Sequence, residues 1–536
     1  MLFRSSLVGS RRRIARRAGL CAGHLRRMVD RPTHVPREWG FGCPHVGVGT
    51  PASEGPNAAY LFASIFCIRR FALDAQFMKK SLSLFALSFL AIGAQAQTAE
   101  DAAFVKGLYQ QALGEQQGYR WLANLCSEAG PRLAGSEGDA KGVKWAVETL
   151  DTLGFDRVFT QPVDVRHWAR GVETAECLQG KTKRPLRVTA LGGSVGTPGG
   201  DKGPGLTAKV IEIVGREDLA AKGHLLAGNI VLYNEPMDPW LINTGSSYGK
   251  AGWQRWGGAS EAAKYGAVGV LVRSLTHRND DFPHTGAMAY EEGVTKIPAA
   301  GISTNDANWL SAELKKNPNL QVHYTLGCHE VGRAQSANVI AEWRGSEFPD
   351  QVMVVGGHLD SWDLGTGAQD DGAGVVHSMQ ALWLLKQAGY QPRHTMRIVL
   401  FANEEFGLEG ARDYAASGLE PGRTHLAGVE SDGGSGAPRG FSLPRFFHEE
   451  HPEIIEALNT LLSPYGCREW TQGGSGADVG QITDEGAILM GYRGDSQRYF
   501  DYHHTAQDNI ESVHPRELEL GSASMAALMY YLDKSL

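Results

Sequence analysis

The sequence predicts an α/β protein: a mixed sheet with a mostly parallel core, sandwiched by helices, and carrying an inserted β-rich block. Three observations predict it. From Ala337 onward, apolar strand runs alternate with helical stripes, the order expected of a parallel sheet. Those runs (VMVVGG, MRIVLFA, LAGVES) are mostly apolar without strict alternation, as in strands covered on both faces. A glycine-rich break, GGSVGTPGGDKGPG at 192–205, opens an earlier block with its own strands and a different texture.

Residues 1–77 hold 12 Arg, no Lys and four acids, and show no sustained period. MKKSLSLFALSFLAIGAQAQ follows from Met78. Lys79 and Lys80 are a basic n-region, Ser81 to Gly93 an apolar core, and Ala94-Gln95-Ala96 a small-x-small cleavage site. That is a signal peptide at 78–96, with a core too short for the ~20 residues a bilayer needs. Translation is expected to start at Met78, with 1–77 a mis-called upstream segment. The rival reading is a basic arm for nucleic acid or organelle targeting. The mature chain would begin at Gln97 and be secreted or periplasmic, with no membrane association once the signal is removed.

Removing the 12 Arg and four acids of 1–77, and Lys79 and Lys80, from totals of 52 basic and 59 acidic side chains leaves 38 against 55. A charge near −17 argues against nucleic-acid binding. The mature cysteines, Cys126, Cys177, Cys328 and Cys467, permit disulfides without defining a pattern. None lies in a CxxC, which argues against a thiolate metal site.

Residues 97–189 read as the first part of the main domain. KGVKWAVETLDTLGF carries a helical stripe of Val143, Ala146, Val147, Leu150 and Leu153. Residues 158–190 alternate, as strands do. The block 190–330 supplies strands in LTAKVIEIV, GNIVLYN and TKIPAAGIS, a helix in ANWLSAEL, and helix, turn and strand in EAAKYGAVGVLVRS. It reads as an inserted domain. Residues 331–536 complete the main domain: strands in ANVIAEW, VMVVGG, MRIVLFA and LAGVES, and a helix with Val375, Met379, Leu382 and Leu385 on one side.

Parallel sheets place chemistry beyond the carboxyl ends of their strands. VMVVGG runs into His358, Asp360 and Asp363; the following loop reaches Asp370 and Asp371. MRIVLFA runs into Glu404 and Glu405, and LAGVES into Asp432. Near the C-terminus RYFDYHHTAQDN brings His503, His504 and Asp508. Imidazole and carboxylate without thiolate is a metal site's donor set. Five ligands exceed the roughly three of a single catalytic zinc but fit two metals sharing a carboxylate, and Asp370 is the candidate bridge. Adjacent Glu404 and Glu405 then make sense. In an extended chain they point to opposite sides, one to metal and one, as a general base, to substrate.

Taken singly, each residue has a plainer reading. Asp370 and Asp371 suit a helix N-cap. Glu404 and Glu405 suit a solvated first turn, Asp432 a turn beside two glycines, and His504 the surface. His377 reads as packing or surface, Asp363 as loop support, and Tyr499, Phe500 and Tyr502 as pocket wall or core. SGAD at 475–478 is expected near the substrate end of the cleft, with no role assigned to Asp478. Spacing alone does not choose between His503 and His504.

GGHLDSWDLGTGAQDDGAG, ANEEFG, ESD and HHTAQD together resemble the di-zinc aminopeptidase family with co-catalytic metals, over most of 105–536. The resemblance implies a zinc exopeptidase fold with a protease-associated domain at 190–330, and two Zn2+ per chain. It implies one zinc on His358, Asp370 and Asp432 and another on Asp370, Glu405 and His504. His504 is favoured because the family's ligand immediately precedes Thr or Ser. It implies Glu404 as general base for a metal-activated water, Asp360 as the carboxylate orienting the imidazole of His358, and a cis peptide after Asp370. The expected function is a metallopeptidase hydrolysing dipeptides or the N-terminal residue of short peptides. A single-zinc glutaminyl cyclase and a non-catalytic binding ectodomain are the alternatives. The inserted block is expected to cover the cleft or to form a homodimer interface.

Overall fold

The computed structural model describes residues 99–536; the upstream segment 1–77 and the expected signal peptide at 78–96 lie outside the described residues. Sixteen strands form two eight-stranded sheets. The first sheet begins with β1 (Arg157–Ala169). The chain then builds the second sheet from β2 (Glu173–Gln179), β3 (Thr182–Leu186), β4 (Val188–Ala190), β5 (Leu206–Ile213), β6 (Ile230–Tyr233), β7 (Gly269–Arg273), β8 (Ala299–Ile302) and β9 (Gln321–Leu326). It returns to the first with β10 (His329–Trp343), β11 (Phe348–His358), β12 (His394–Phe401), β13 (Thr424–Glu430), β14 (Pro438–Leu443), β15 (Glu469–Gln472) and β16 (Ile488–Gly494).

The first sheet has the order β1-β10-β12-β11-β13-β16-β14-β15. Its centre is parallel: β11 pairs with β12 on one side and β13 on the other, and β13 with β16. The pairs β1–β10, β10–β12 and β14–β16 are antiparallel. All eight residues of β12 are buried, which accounts for its apolar run Ile398–Phe401, and the buried Arg397 is paired with Glu342 at 2.7 Å. Odd and even positions separate into two cores. Met353, Val355, Ile398 and Leu400 pack with Leu382, Leu385 and Met529 from the helices Ala373–Gln387 and Pro515–Ser535. Val352, Val354, Val399 and Phe401 pack with Tyr414 of the helix Glu409–Ser417.

The second sheet runs β3-β2-β9-β5-β6-β7-β8-β4, with β5 to β8 parallel and its own buried cores. The chain enters and leaves it at one place. Gly171, at φ +69°, turns β1 toward β2, and a Cβ there would sit 2.6 Å from the Gly327 carbonyl carbon. The Gly327 amide donates to the Val172 carbonyl at 2.8 Å. Second-sheet strands therefore begin at Glu173, inside the stretch 97–189 that the sequence pattern gave to the main domain. The glycine run at 192–205 lies between β4 and β5, within this unit rather than at its border. Its glycines serve positive-φ turns such as Gly193 and Gly199, which composition alone makes look like a linker.

Cys126, Cys177, Cys328 and Cys467 are all buried free thiols. No helix among the described residues is long and apolar enough to cross a membrane.

Candidate active site

Strands β11, β12 and β13 run in the same direction, so their carboxyl ends open on one rim. β11 ends in the fully buried His358. Glu404 and Glu405 follow the end of β12, and Asp432 follows β13. Asp370 comes from the irregular turn Ala368–Gly372 that leads into the helix Ala373–Gln387, and its peptide bond to Asp371 is cis, as expected. His503 and His504 arrive from the far end of the sequence, after the short helix Tyr499–Tyr502.

The side chains converge on Asp370. Its Oδ1 lies 3.2 Å from His358 Nε2, and its Oδ2 lies 3.1 Å from His504 Nε2 and 3.4 Å from His503 Nε2. Glu405 Oε2 is 3.0 Å from His504 Nε2. On the other side of Asp370, Asp432 Oδ1 and Glu404 Oε2 stand 3.7 and 4.0 Å from His358 Nε2. Two triads have donor atoms within 4.8 Å of one another: His358, Asp370 and Asp432, and Asp370, His503 and His504. The rings of His503 and His504 stack at 3.5 Å, but Glu405 pairs with His504.

The donor set fits divalent cations. His358 Nε2, Asp370 Oδ2 and Glu405 Oε1 are buried and make no hydrogen bond, a costly arrangement for polar atoms without a partner of another kind. The charges point the same way. Burial, with Asp432, Glu405 and Asp370 adding to it against His358, pushes the Glu404 carboxyl well above its usual range. Burial and Asp370 push Glu405 up to about 7. His504 is lifted to about 9 despite its burial, chiefly by Glu405 and Asp370. Glu404 and Glu405 are thus pushed towards holding protons and the His504 imidazole towards keeping its own, and a bound cation inverts that logic.

Several expectations take a different form in the structure. Glu404 and Glu405 do not sit in extended chain. Asn403 has φ +61° and Leu408 φ +63°, so the pair lies in a tight turn whose closing bond runs from the Leu408 amide to the Asn403 carbonyl. The turn, not strand alternation, separates the two side chains. Asp360 meets the His358 ring through its backbone carbonyl, 3.1 Å from Nδ1. Its carboxylate, 3.6 Å from that nitrogen, is beyond hydrogen-bond reach. It accepts instead from the amides of Glu404 at 3.0 Å and Glu405 at 3.3 Å, so Asp360 fixes the turn that presents both glutamates. Asp370 and Asp371 divide the readings open to them. Asp371 caps the helix, accepting from Gly374 N at 2.9 Å, while Asp370 faces the imidazoles.

Other residues gain roles that sequence did not reveal. Asp508 accepts from the amides of Gln369 at 2.6 Å and Asp370 at 3.1 Å, holding the Asp370 turn. Arg132, wholly buried, donates to the carbonyls of Leu359, Thr366 and Gly367 around the same loop. An arginine in the turn PRLAGSEG carries no sequence signal for such a place. His377 is buried, bonded to Ser431 Oγ and the Leu518 carbonyl. Asp363 pairs with Arg170. Asp478 is buried with neither carboxylate oxygen hydrogen-bonded, and burial followed by Glu430 pushes it well above its usual range.

A cavity of about 890 Å³ opens over the cluster. Glu404, Glu405, Asp432 and Tyr499 line it from the first sheet's side, and Tyr248, Arg255, Trp256 and Met288 line it from the second-sheet unit.

Comparison with known proteins places this geometry. The pattern described as Peptidase family M28 matches residues 338–529, which span every residue of the cluster. Carboxypeptidase Q of Bos taurus is 33% identical over 417 residues, covering 78% of this chain and 85% of that protein. The chain belongs to peptidase family M28. It is a metallopeptidase, and carboxypeptidase Q of Homo sapiens matches it equally, 33% identical over 78% of the chain and 85% of the relative. Among solved structures, an M28 peptidase precursor from Shewanella amazonensis is 37% identical, covers 81% of this chain and 97% of that one, and superposes with a TM-score of 0.75. A zinc aminopeptidase from Bacillus subtilis, 20% identical with a TM-score of 0.54 over 77% of this chain and 93% of its own, shares the fold. The M28 assignment agrees with the metallopeptidase that the family resemblance implied.

Proposed function

We propose that this M28 peptidase is an exported di-zinc exopeptidase that removes the N-terminal residue of dipeptides or short peptides. The observation that carries the reading is that His358 and His504 meet the two oxygens of Asp370, with Asp432 and Glu404 beside His358 and Glu405 beside His504. One zinc would be held by His358, Asp370 and Asp432, the other by Asp370, Glu405 and His504. The imidazole and carboxylate donors without thiolate favour zinc among the common metals. When bound, the ions supply Lewis acidity at the scissile carbonyl and acidify water near neutral pH.

The chain's own residues do the rest. Glu404 lines the cavity and stays one-fifth exposed, whereas Glu405 is buried against His504. Glu404 accepts the proton of the attacking water and returns it to the departing amine. Asp360 keeps its backbone in place, and Asp508 keeps Asp370 turned inward. The acidic rim suits a free amino terminus, which favours exopeptidase over internal cleavage. The second-sheet unit acts as the protease-associated domain and forms one wall of the cleft. Export follows from the signal peptide at 78–96.

Glu404→Gln tests the reading. Turnover of a neutral dipeptide should fall by about 10²–10⁴-fold while two zincs per chain remain by elemental analysis. Near-normal turnover would remove Glu404 from the chemistry. A count of one zinc, with pyroglutamate formed from glutaminyl peptides, would favour a cyclase instead.

A further inference from the structure

Four cations line the cavity, and among the described residues Arg255 is the one bonded to a proposed metal ligand, His504. Arg166 pairs with Glu330 at 2.7 Å, Arg412 donates to the Gly407 carbonyl at 2.7 Å, and Lys296 lies 5.6 Å over the Tyr290 ring. Arg255 differs. Among the described residues it has no acidic partner, and its Nε is buried without a hydrogen bond. Its guanidinium lies 5.1 Å from the Tyr248 ring centroid, with Nη1 3.4 Å from His504 Nδ1.

Its position is built. Gly286 adopts φ +129°, and a Cβ there would fall 2.5 Å from Arg255 Nη1 and 2.7 Å from His504 Nδ1. Only glycine leaves room for the arginine and the histidine to meet. The same segment is tied to the cluster by the Thr285 amide, which donates to the His504 carbonyl at 3.0 Å. The other nitrogen of the His504 ring faces Asp370 and Glu405. A single imidazole therefore separates the Arg255 guanidinium from the acidic cluster.

We propose that Arg255 binds the free α-carboxylate of the residue on the leaving side of the scissile bond, and so sets this enzyme's preference for dipeptides. This rests on the exopeptidase reading above. With the amino terminus at the acidic rim and the next carboxylate at Arg255, a dipeptide satisfies both ends. A longer peptide places a neutral amide beside the guanidinium. Guanidinium–carboxylate pairs in a partly dry site are among the stronger polar contacts.

The test compares a neutral dipeptide with its C-terminal amide, in wild type, Arg255→Gln and Arg255→Lys. Expected in Arg255→Gln is a rise in KM for the free dipeptide of roughly 10- to 100-fold, with the amide hardly changed. Arg255→Lys should restore part of the loss. Equal losses on both substrates would assign Arg255 to positioning His504 and overturn the proposal, as would no loss on either. Calorimetry of dipeptide binding in a Glu404→Gln background separates the two readings. If wild type cleaves neither substrate but Arg255→Gln still weakens dipeptide binding, the carboxylate site stands and the exopeptidase reading falls. If wild type cleaves both and binding is unaltered by Arg255→Gln, the reverse holds.

Discussion

The two walls of the cavity are made in different ways. On the first-sheet side, the reactive groups sit at strand tips and in the loops that follow. Their convergence comes from parallel strands that must all end on one rim. On the second-sheet side, Tyr248, Arg255, Trp256, Thr285 and Gly286 come from helices and loops with no shared periodicity. They meet the cluster because the Thr285 strand of loop is bonded to His504. One wall holds chemistry that topology enforces. The other holds the groups proposed for recognition, placed by packing, with Thr285, Gly286 and Arg255 seated against His504.

The sharpest break in that contrast is Asp370→Ala. Asp370 is the common neighbour of both halves of the donor set, so the variant should lose both zincs and fall by at least about 10³-fold in activity. Elemental analysis checks it; two zincs retained would end the bridging role.

Gly286→Ala probes the opposite wall. The new Cβ cannot share space with Arg255 Nη1, and the positive φ disfavours any side chain. Because that Cβ would also fall 2.7 Å from His504 Nδ1, dipeptide kcat/KM should fall roughly 10-fold with a smaller loss of zinc than in Asp370→Ala, at a stability cost of about 1–3 kcal/mol. If Asp370→Ala and Gly286→Ala give the same loss of metal, the two walls are not separable and the contrast fails.

The smallest effect concerns the scaffold beneath both. Burial holds His377 down to about 4, against 6.5 for an ordinary histidine. Between those values the unfolded chain binds the proton and the folded chain does not. Stability from this residue is therefore complete above about pH 6.5 and is lost as pH falls toward 4, at up to about 1.4 kcal/mol per pH unit. Urea denaturation at pH 7 and pH 5 should show this decline in wild type and a shallower one in His377→Gln. Parallel declines would exclude His377 as the cause.

What the sequence made legible follows the same division. β11, β12 and β13 were readable as mostly apolar runs, and the groups after them as one donor set, because both depend on neighbours in sequence. His503 and His504 needed a family pattern, since nothing local ranks them. The structure gives the reason to separate them: only His504 also reaches Glu405. Asp360 illustrates the limit. The family resemblance implied that its carboxylate orients the His358 ring, but the left-handed Asn403 folds the next strand's exit back onto it, so the carboxylate meets two amides instead. Arg132 and Arg255 were invisible because an arginine among glycines or in a helix ordinarily marks surface. The glycine run at 192–205 misled for a related reason, since ordered positive-φ turns and flexible tethers share a composition.

The crossing at Gly171 and Gly327 carries one more consequence. β1 and β10 remain paired down to Ala169 opposite His329, where a simple ribbon would reverse with a short turn. The second sheet occupies that turn's place. Closing a long loop costs little more than closing a short one, and this loop brings its own interior to hold its ends together. The proposed recognition wall is thus a cassette seated in a hairpin bend and tied to the catalytic rim a second time by the Thr285–His504 bond.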